Sequence, residues 1–260
     1  KIFMDPFVIE AGINHFGKKK EADLILKFFL NSKFKKITFM LHSEKFYSTQ
    51  KKIGFDFKLE KSFYQKAIKK CHFKNKKIGL SVSSEENFPD FSNLKFDFFK
   101  LLSLNINNFK LIKQLKKLNK PVFVSTGHGA ADKNIKKCLN AFGKMKKKIV
   151  ILHTPMSYDP EELNFSRINY LKKKFKLPVG YSNHNNDIES INILSAYNPE
   201  AIFVYCKPLK KRRRIYPDNA HAFYFDQLKK MNFDYQKFKK MNKKIKTIKT
   251  VKIFTDKFKI

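Results

Sequence analysis

The residues able to do chemistry stand just after short apolar runs. Glu10, Asn14 and His15 fall in Glu10-Ala11-Gly12-Ile13-Asn14-His15. Lys100 and Ser103 close Phe98-Phe99-Lys100-Leu101-Leu102-Ser103, Ser125-Thr126-Gly127 follows a valine-rich run, and His184 ends Gly180-Tyr181-Ser182-Asn183-His184. Tyr158, Lys207 and Asp218 lie at or after later runs. His15 and His184, if brought to one rim, suit metal ligation or acid and base work; each alone is as well explained as a hydrogen-bonded loop residue. Lys100 sits among two aromatic and two aliphatic neighbours, and an ammonium pointing into a core is costly unless an anion neutralises it. That predicts a carboxylate or phosphate ligand, unless the register turns the lysine outward. Ser125-Thr126-Gly127 offers hydroxyls and a close backbone approach, as a phosphate loop or as a plain turn. Lys210-Lys211-Arg212-Arg213-Arg214 holds three of the four arginines, a planar donor cluster suited to phosphate.

What must position these residues is a repeated unit. Apolar runs of strand length occur at 7–9, 37–41, 78–82, 98–102, 122–124, 149–152, 178–181 and 201–205, and stretches such as 108–118 and 188–196 carry helical spacing. Strand and helix alternate, so the connections are right-handed crossovers and the sheet is parallel. Eight units in 260 residues fit a closed (β/α)₈ barrel better than an open doubly wound sheet. In such a barrel the strand C-termini share one face, which would bring the polar residues into one pocket. The division expected is one barrel over 1–240 and a basic tail over 241–260.

Composition narrows the function classes. A hydrophobic fraction of 42% with 29 Phe supports a large core. No run approaches a membrane span, and residues 1–6 do not resemble a targeting signal, so a cytoplasmic location is expected. Cys71, Cys138 and Cys206 have no metal-binding spacing and read as reduced thiols. The net charge of +34 would suit a polyanion partner, but lysine is spread along nearly every element and no nucleic-acid reading module is present. Nucleic acid is therefore not the expected partner.

Taken in order, Phe7 through Gly17, Phe98-Phe99-Lys100 with Ser103, Lys120 through Gly127, Leu152-His153 through Tyr158, Leu163-Asn164, and Leu177 through His184 resemble the sialic acid synthase family, which makes N-acetylneuraminate, legionaminate and pseudaminate. The resemblance runs from about residue 7 to about 228. It implies a TIM barrel that condenses phosphoenolpyruvate with an N-acyl hexosamine aldehyde, and a possible homodimer. It also implies that Lys100, Ser103, Ser125 and Ser182 hold phosphoenolpyruvate, with Asn14 and Asp218 in the substrate set. Tyr158 would line the sugar pocket, Glu10 would contact the sugar or a catalytic water, and His184 would be one of two ligands of a divalent metal, Mn or Mg.

The chain departs from that pattern at several places. Lys207 stands where the second metal histidine is expected, and a protonated lysine cannot ligate. Phe39 falls at an expected lysine, Asn105 at an acidic residue, Met156 at an asparagine and Asn183 at an aspartate. The 260 residues are expected to lack the family's C-terminal antifreeze-like domain. Two readings follow: a synthase in which Lys207 replaces the metal's charge and Arg212 to Arg214 make up lost phosphate contacts, or a non-catalytic paralogue that binds an anionic metabolite or a partner protein.

Overall fold

Alternation along each strand decides which side chains meet. The computed structural model describes residues 5–128, 130–208 and 215–242. The barrel strands are β1 (Phe7–Glu10), β2 (Lys36–Leu41), β3 (Lys77–Val82), β4 (Phe98–Leu101), β5 (Val122–Ser125), β6 (Ile149–His153), β7 (Val179–Ser182) and β8 (Ile202–Lys207). Each pairs in parallel with its sequence neighbour, and β8 returns to β1 with Phe7 opposite Ile202 and Glu10 opposite Tyr205. The expected closed (β/α)₈ barrel is the observed one. The cause lies in the repeat: each helix returns the chain to the same end of the sheet, and the accumulated strand tilt closes it.

Period two separates two cores. Val8, Phe98, Phe123, Leu152 and Phe203 point inward and form a cluster of their own. Phe123 packs edge-on against Phe98 and Phe203, with centroids 5.4 and 5.0 Å apart. Their neighbours Phe7, Ile9, Phe99, Leu101, Val122, Val124, Ile202 and Val204 face outward into the larger core beneath the helices. Helix α1 (Lys19–Asn31) supplies Ala22, Ile25, Leu26 and Phe29 to that core, the spacing of one helical face.

The remaining helices are α2 (Glu44–Lys52), α3 (Lys61–Phe73), α4 (Phe88–Ser92), α5 (Phe109–Leu118), α6 (Asp132–Phe142), α7 (Ser166–Phe175), α8 (Ile188–Ile193) and α9 (Phe225–Met241). The helix expected over 108–118 begins where Asn108 caps it, its Oδ1 accepting from the Leu111 amide at 3.0 Å. It ends at Asn119, whose φ of 53° is left-handed. The helix expected over 188–196 is shorter: after α8 the chain tightens into a 3₁₀ turn, Leu194–Tyr197. A further strand not anticipated from the sequence, β9 (Ala222–Tyr224), pairs in parallel with Tyr205–Lys207 of β8, beyond the stretch that pairs with β7. Three residues are too few for a periodic signal. Among the described residues no helix is long and apolar enough to cross a membrane. Cys71, Cys138 and Cys206 are buried and unbridged. The basic residues 210–214 and most of the 241–260 tail lie outside the described residues.

Candidate anion site in the barrel mouth

Two residues along each strand from the apolar inner layer, the same face becomes polar. Val8 is followed by Glu10, Phe98 by Lys100 and Phe123 by Ser125; Ser81, Ser182 and Tyr205 complete the layer on β3, β7 and β8. Lys100 is 1% exposed and Glu10 is fully buried. The Lys100 ammonium donates to Glu10 Oε2 at 2.7 Å, to Oε1 at 2.9 Å and to Ser182 Oγ at 3.1 Å. Ser81 Oγ donates to Glu10 Oε1 at 3.0 Å and stands 3.0 Å from Thr38 Oγ1. The ammonium also lies 4.6 Å from the Phe203 ring. Burial lowers the pKa of Lys100, and the Glu10 charge opposes that shift.

This geometry corrects two expectations. Lys100 does face inward, but the anion that neutralises it is an internal side chain, so its burial alone does not call for an external ligand. Glu10 is aimed at Lys100, and it does not line the cavity above.

That cavity, about 170 Å³, is lined by Lys100, Ser103, Ser125, Thr154, His184 and Tyr205 among others. Ser125 Oγ is buried there without a hydrogen-bond partner, an unusual cost for a native hydroxyl. The rest of its loop is committed. The Thr126 hydroxyl donates to Leu152 O at 2.8 Å, and the Gly127 amide donates to Ser103 Oγ at 2.9 Å. A Cβ on Gly127 would come within 2.8 Å of Ser103 Oγ and 3.0 Å of Thr154 O, so glycine is required by close packing. Of the proposed phosphate loop, Ser125 alone keeps an uncommitted side-chain group.

At the rim, His184 meets His221, a residue not singled out in the sequence. Their ring centroids are 5.3 Å apart, and Tyr205 lies 5.6 Å from the first and 4.5 Å from the second. Burial, with Lys100 adding to it, pushes His184 down to about 3; burial, Lys100 and Lys207 push His221 down to about 4. Both imidazoles are neutral near pH 7. Asp218 is pushed up to about 7, chiefly by burial, against the lowering effect of the Ile13 amide that it accepts at 3.0 Å. Its own amide donates to Asn14 Oδ1 at 2.9 Å, and Asn14 Nδ2 donates to Cys206 O at 2.8 Å. Asn14 and Asp218 thus lock the first loop to the last strands. The only sequence signal for His221 was its place three residues beyond Asp218.

Other expected site residues are placed elsewhere. Lys207 donates to Asn219 O at 3.1 Å and Asn219 Oδ1 at 2.9 Å, lies 4.4 Å from the Tyr224 ring, and does not line the cavity. Tyr158 is 60% exposed on the loop after β6. His15 does not join His184: its ring is buried toward Phe39, and its Nδ1 accepts from Gly17. Phe39 itself faces outward against Phe63 of α3. Equating it with the expected lysine was one residue out of phase, since the inward position above Thr38 is Met40, which lines the cavity. Asn105 donates to Ser83 O, and Asn183 donates to Asn185 O.

No three His, Cys, Asp or Glu side chains among the described residues are grouped so as to hold a metal ion. Lys207, at the expected second-ligand position, turns to Asn219, and the two imidazoles that could hold the divalent metal implied by the resemblance are His184 and His221, whose ring centroids are 5.3 Å apart.

Fold and site together define a (β/α)₈ barrel with an anion-suited cavity at the C-terminal ends of its strands. The NeuB family profile matches residues 20–247, and the chain belongs to that family. It is 29% identical over 209 residues to N,N'-diacetyllegionaminic acid synthase of Campylobacter jejuni, covering 70% of this chain and 61% of that protein. It is also 29% identical over 119 residues to N-acetylneuraminate-9-phosphate synthase of Drosophila melanogaster, covering 44% of this chain and 32% of that protein. The chain therefore spans less than two thirds of either relative. In fold it matches the N-acetylneuraminic acid synthetase of Leptospira borgpetersenii with a TM-score of 0.81 and 21% identity, over 96% of this chain and 89% of that one. A truncated 3-deoxy-D-arabino-heptulosonate 7-phosphate synthase of Thermotoga maritima matches with a TM-score of 0.70 and 16% identity, over 92% and 88%.

Proposed function

We propose that the barrel is a carbohydrate-biosynthetic synthase that binds phosphoenolpyruvate beside Lys100 and joins it to the aldehyde of an open-chain N-acyl hexosamine. The observation that carries this reading is the unpartnered, buried Ser125 hydroxyl in the cavity that Lys100, Ser103 and His184 also line. A hydroxyl donor and an ammonium at one cavity wall suit a carboxylate or phosphate oxygen. In the reaction, the enol carbon of phosphoenolpyruvate attacks the aldehyde carbon, and the aldehyde oxygen takes up a proton. Water then adds to the cationic carbon, and inorganic phosphate leaves.

In this reading Lys100, Ser103 and Ser125 hold phosphoenolpyruvate, and Ser182, which does not line the cavity, positions Lys100 by accepting from its ammonium. His184 and His221, neutral at the rim, face the aldehyde, and Tyr158 borders the sugar. Asp218 shapes the mouth through Asn14 and, with a pKa of about 7, retains a proton near neutrality for exchange with the rim. No step is routed through a metal: the field of Lys207, felt at His221, contributes positive charge in its place.

A second reading, a barrel that binds an anionic metabolite without turnover, is favoured by Asn105, Met156 and Asn183 at family site positions. The test is inorganic phosphate release from phosphoenolpyruvate with a panel of N-acyl hexosamines, run with manganese and with chelator. Sugar-dependent release that survives chelator supports the metal-free synthase. Release that requires manganese overturns the role given to Lys207, and no release from folded protein favours the non-catalytic reading.

A further inference from the structure

We propose that Glu10 is an internal stand-in for a ligand's anionic group, competing with the incoming ligand for Lys100 and so setting which anions the barrel accepts. The inference deepens the functional reading above, because the site concerned is the one assigned there to phosphoenolpyruvate. An ammonium has three N–H groups. Those of Lys100 are all spent, two on the Glu10 carboxylate and one on Ser182. Lys100 lines the cavity and Glu10 does not, so the pair is engaged from the side away from the ligand. An anion entering the cavity meets a neutralised pair, and it must take at least one N–H from Glu10 to reach the lysine.

The layer is built to receive the carboxylate once it is released. Ser81 already donates to Glu10 Oε1, and Ser81 is linked to Thr38, whose hydroxyl is 3.2 Å from Phe39 O. This chain partly satisfies a carboxylate that no water reaches. Competition of this kind penalises every anion, but ligands that also satisfy Ser125 and Ser103 recover the loss. Simple anions, which cannot do so fully, bind more weakly. Glu10 is therefore a specificity-determining residue.

The experiment is calorimetric binding of inorganic phosphate and, separately, phosphoenolpyruvate to the full chain and to Glu10→Gln at several pH values from neutral to mildly acidic, since burial lowers the Lys100 pKa and Glu10 opposes that shift. Melting curves verify folding. Glu10→Asp is the second variant, since its shorter side chain reaches Lys100 less well while the layer keeps its charge. Both variants should bind inorganic phosphate more tightly, Glu10→Gln by about tenfold or more, with a smaller gain for phosphoenolpyruvate. Affinity for inorganic phosphate that is unchanged or weaker in the folded variants overturns the proposal, and it would mean that Glu10 helps to hold the ligand. If the variants bind phosphate more tightly but the full chain never releases phosphate from phosphoenolpyruvate with any sugar, the synthase reading alone falls.

Discussion

Replacing Lys100 by Met isolates the energetics of the buried pair. Methionine retains most of the aliphatic volume but removes the charge, leaving Glu10 fully buried and opposite no cation. Of its partners only Ser81 Oγ remains. Breaking a buried ion pair from one side costs about 3–5 kcal/mol, because the survivor keeps its desolvation penalty. At roughly 2–4 °C per kcal/mol for a domain of this size, the melting temperature should fall by about 6–20 °C. The double variant Glu10→Leu with Lys100→Met removes both charges and should recover most of the loss, since an apolar replacement of a buried pair is often neutral. Urea unfolding of wild type, both single variants and the double variant gives the coupling energy directly. If Lys100→Met alone stays within about 1 kcal/mol of wild type, the pair does not exist as a buried ion pair, and the reasoning about this layer fails.

Other perturbations probe the remaining parts of the site. Ser125→Ala removes a buried hydroxyl that has no partner, so stability should hold or rise by up to about 1 kcal/mol, while calorimetry should show phosphate affinity falling by about tenfold. Asp218 has its folded pKa raised from 3.8 to about 7, so the folded state binds the extra proton between those values and stability declines as pH rises through them. Asp218→Asn should therefore gain about 2–4 kcal/mol over wild type on going from pH 4 to pH 8 in urea unfolding; a pH-independent difference would contradict the assigned burial. His184 and His221 have the opposite sign. Their folded pKa values lie near 3 and 4 against an ordinary 6.5, so the unfolded chain binds the protons first and stability is lost as pH drops below 6.5. His221→Gln should make the acid side of the stability profile shallower, and an unchanged profile would mean that His221 is solvated.

The order of the motifs and the alternation of apolar runs with helical stretches were enough to identify the closed parallel barrel, because those signals are local and repeat eight times. The same signals put Lys100, Ser125 and Ser182 at the ends of their strands but left open whether Lys100 turned inward or outward; the structure places it inward, two residues beyond Phe98. Those signals could not say what neutralises Lys100. That depends on Glu10, ninety positions away, meeting it across the barrel, a distance that only strand register and closure bring to 2.7 Å. Phe39 was misjudged because a one-residue phase error in a period-two element exchanges the two faces. His221 was missed because its partners, His184 just after β7 and Tyr205 in β8, are distant from it in sequence, and no local spacing records such a meeting. The sequence by itself determined the architecture and the rim on which the polar residues gather, since these follow from local pattern. The tertiary structure alone decided that Lys100 is already paired, that Ser125 is not, and that Lys207 turns aside to Asn219, because hydrogen-bond partners are a property of the closed barrel and not of any segment within it.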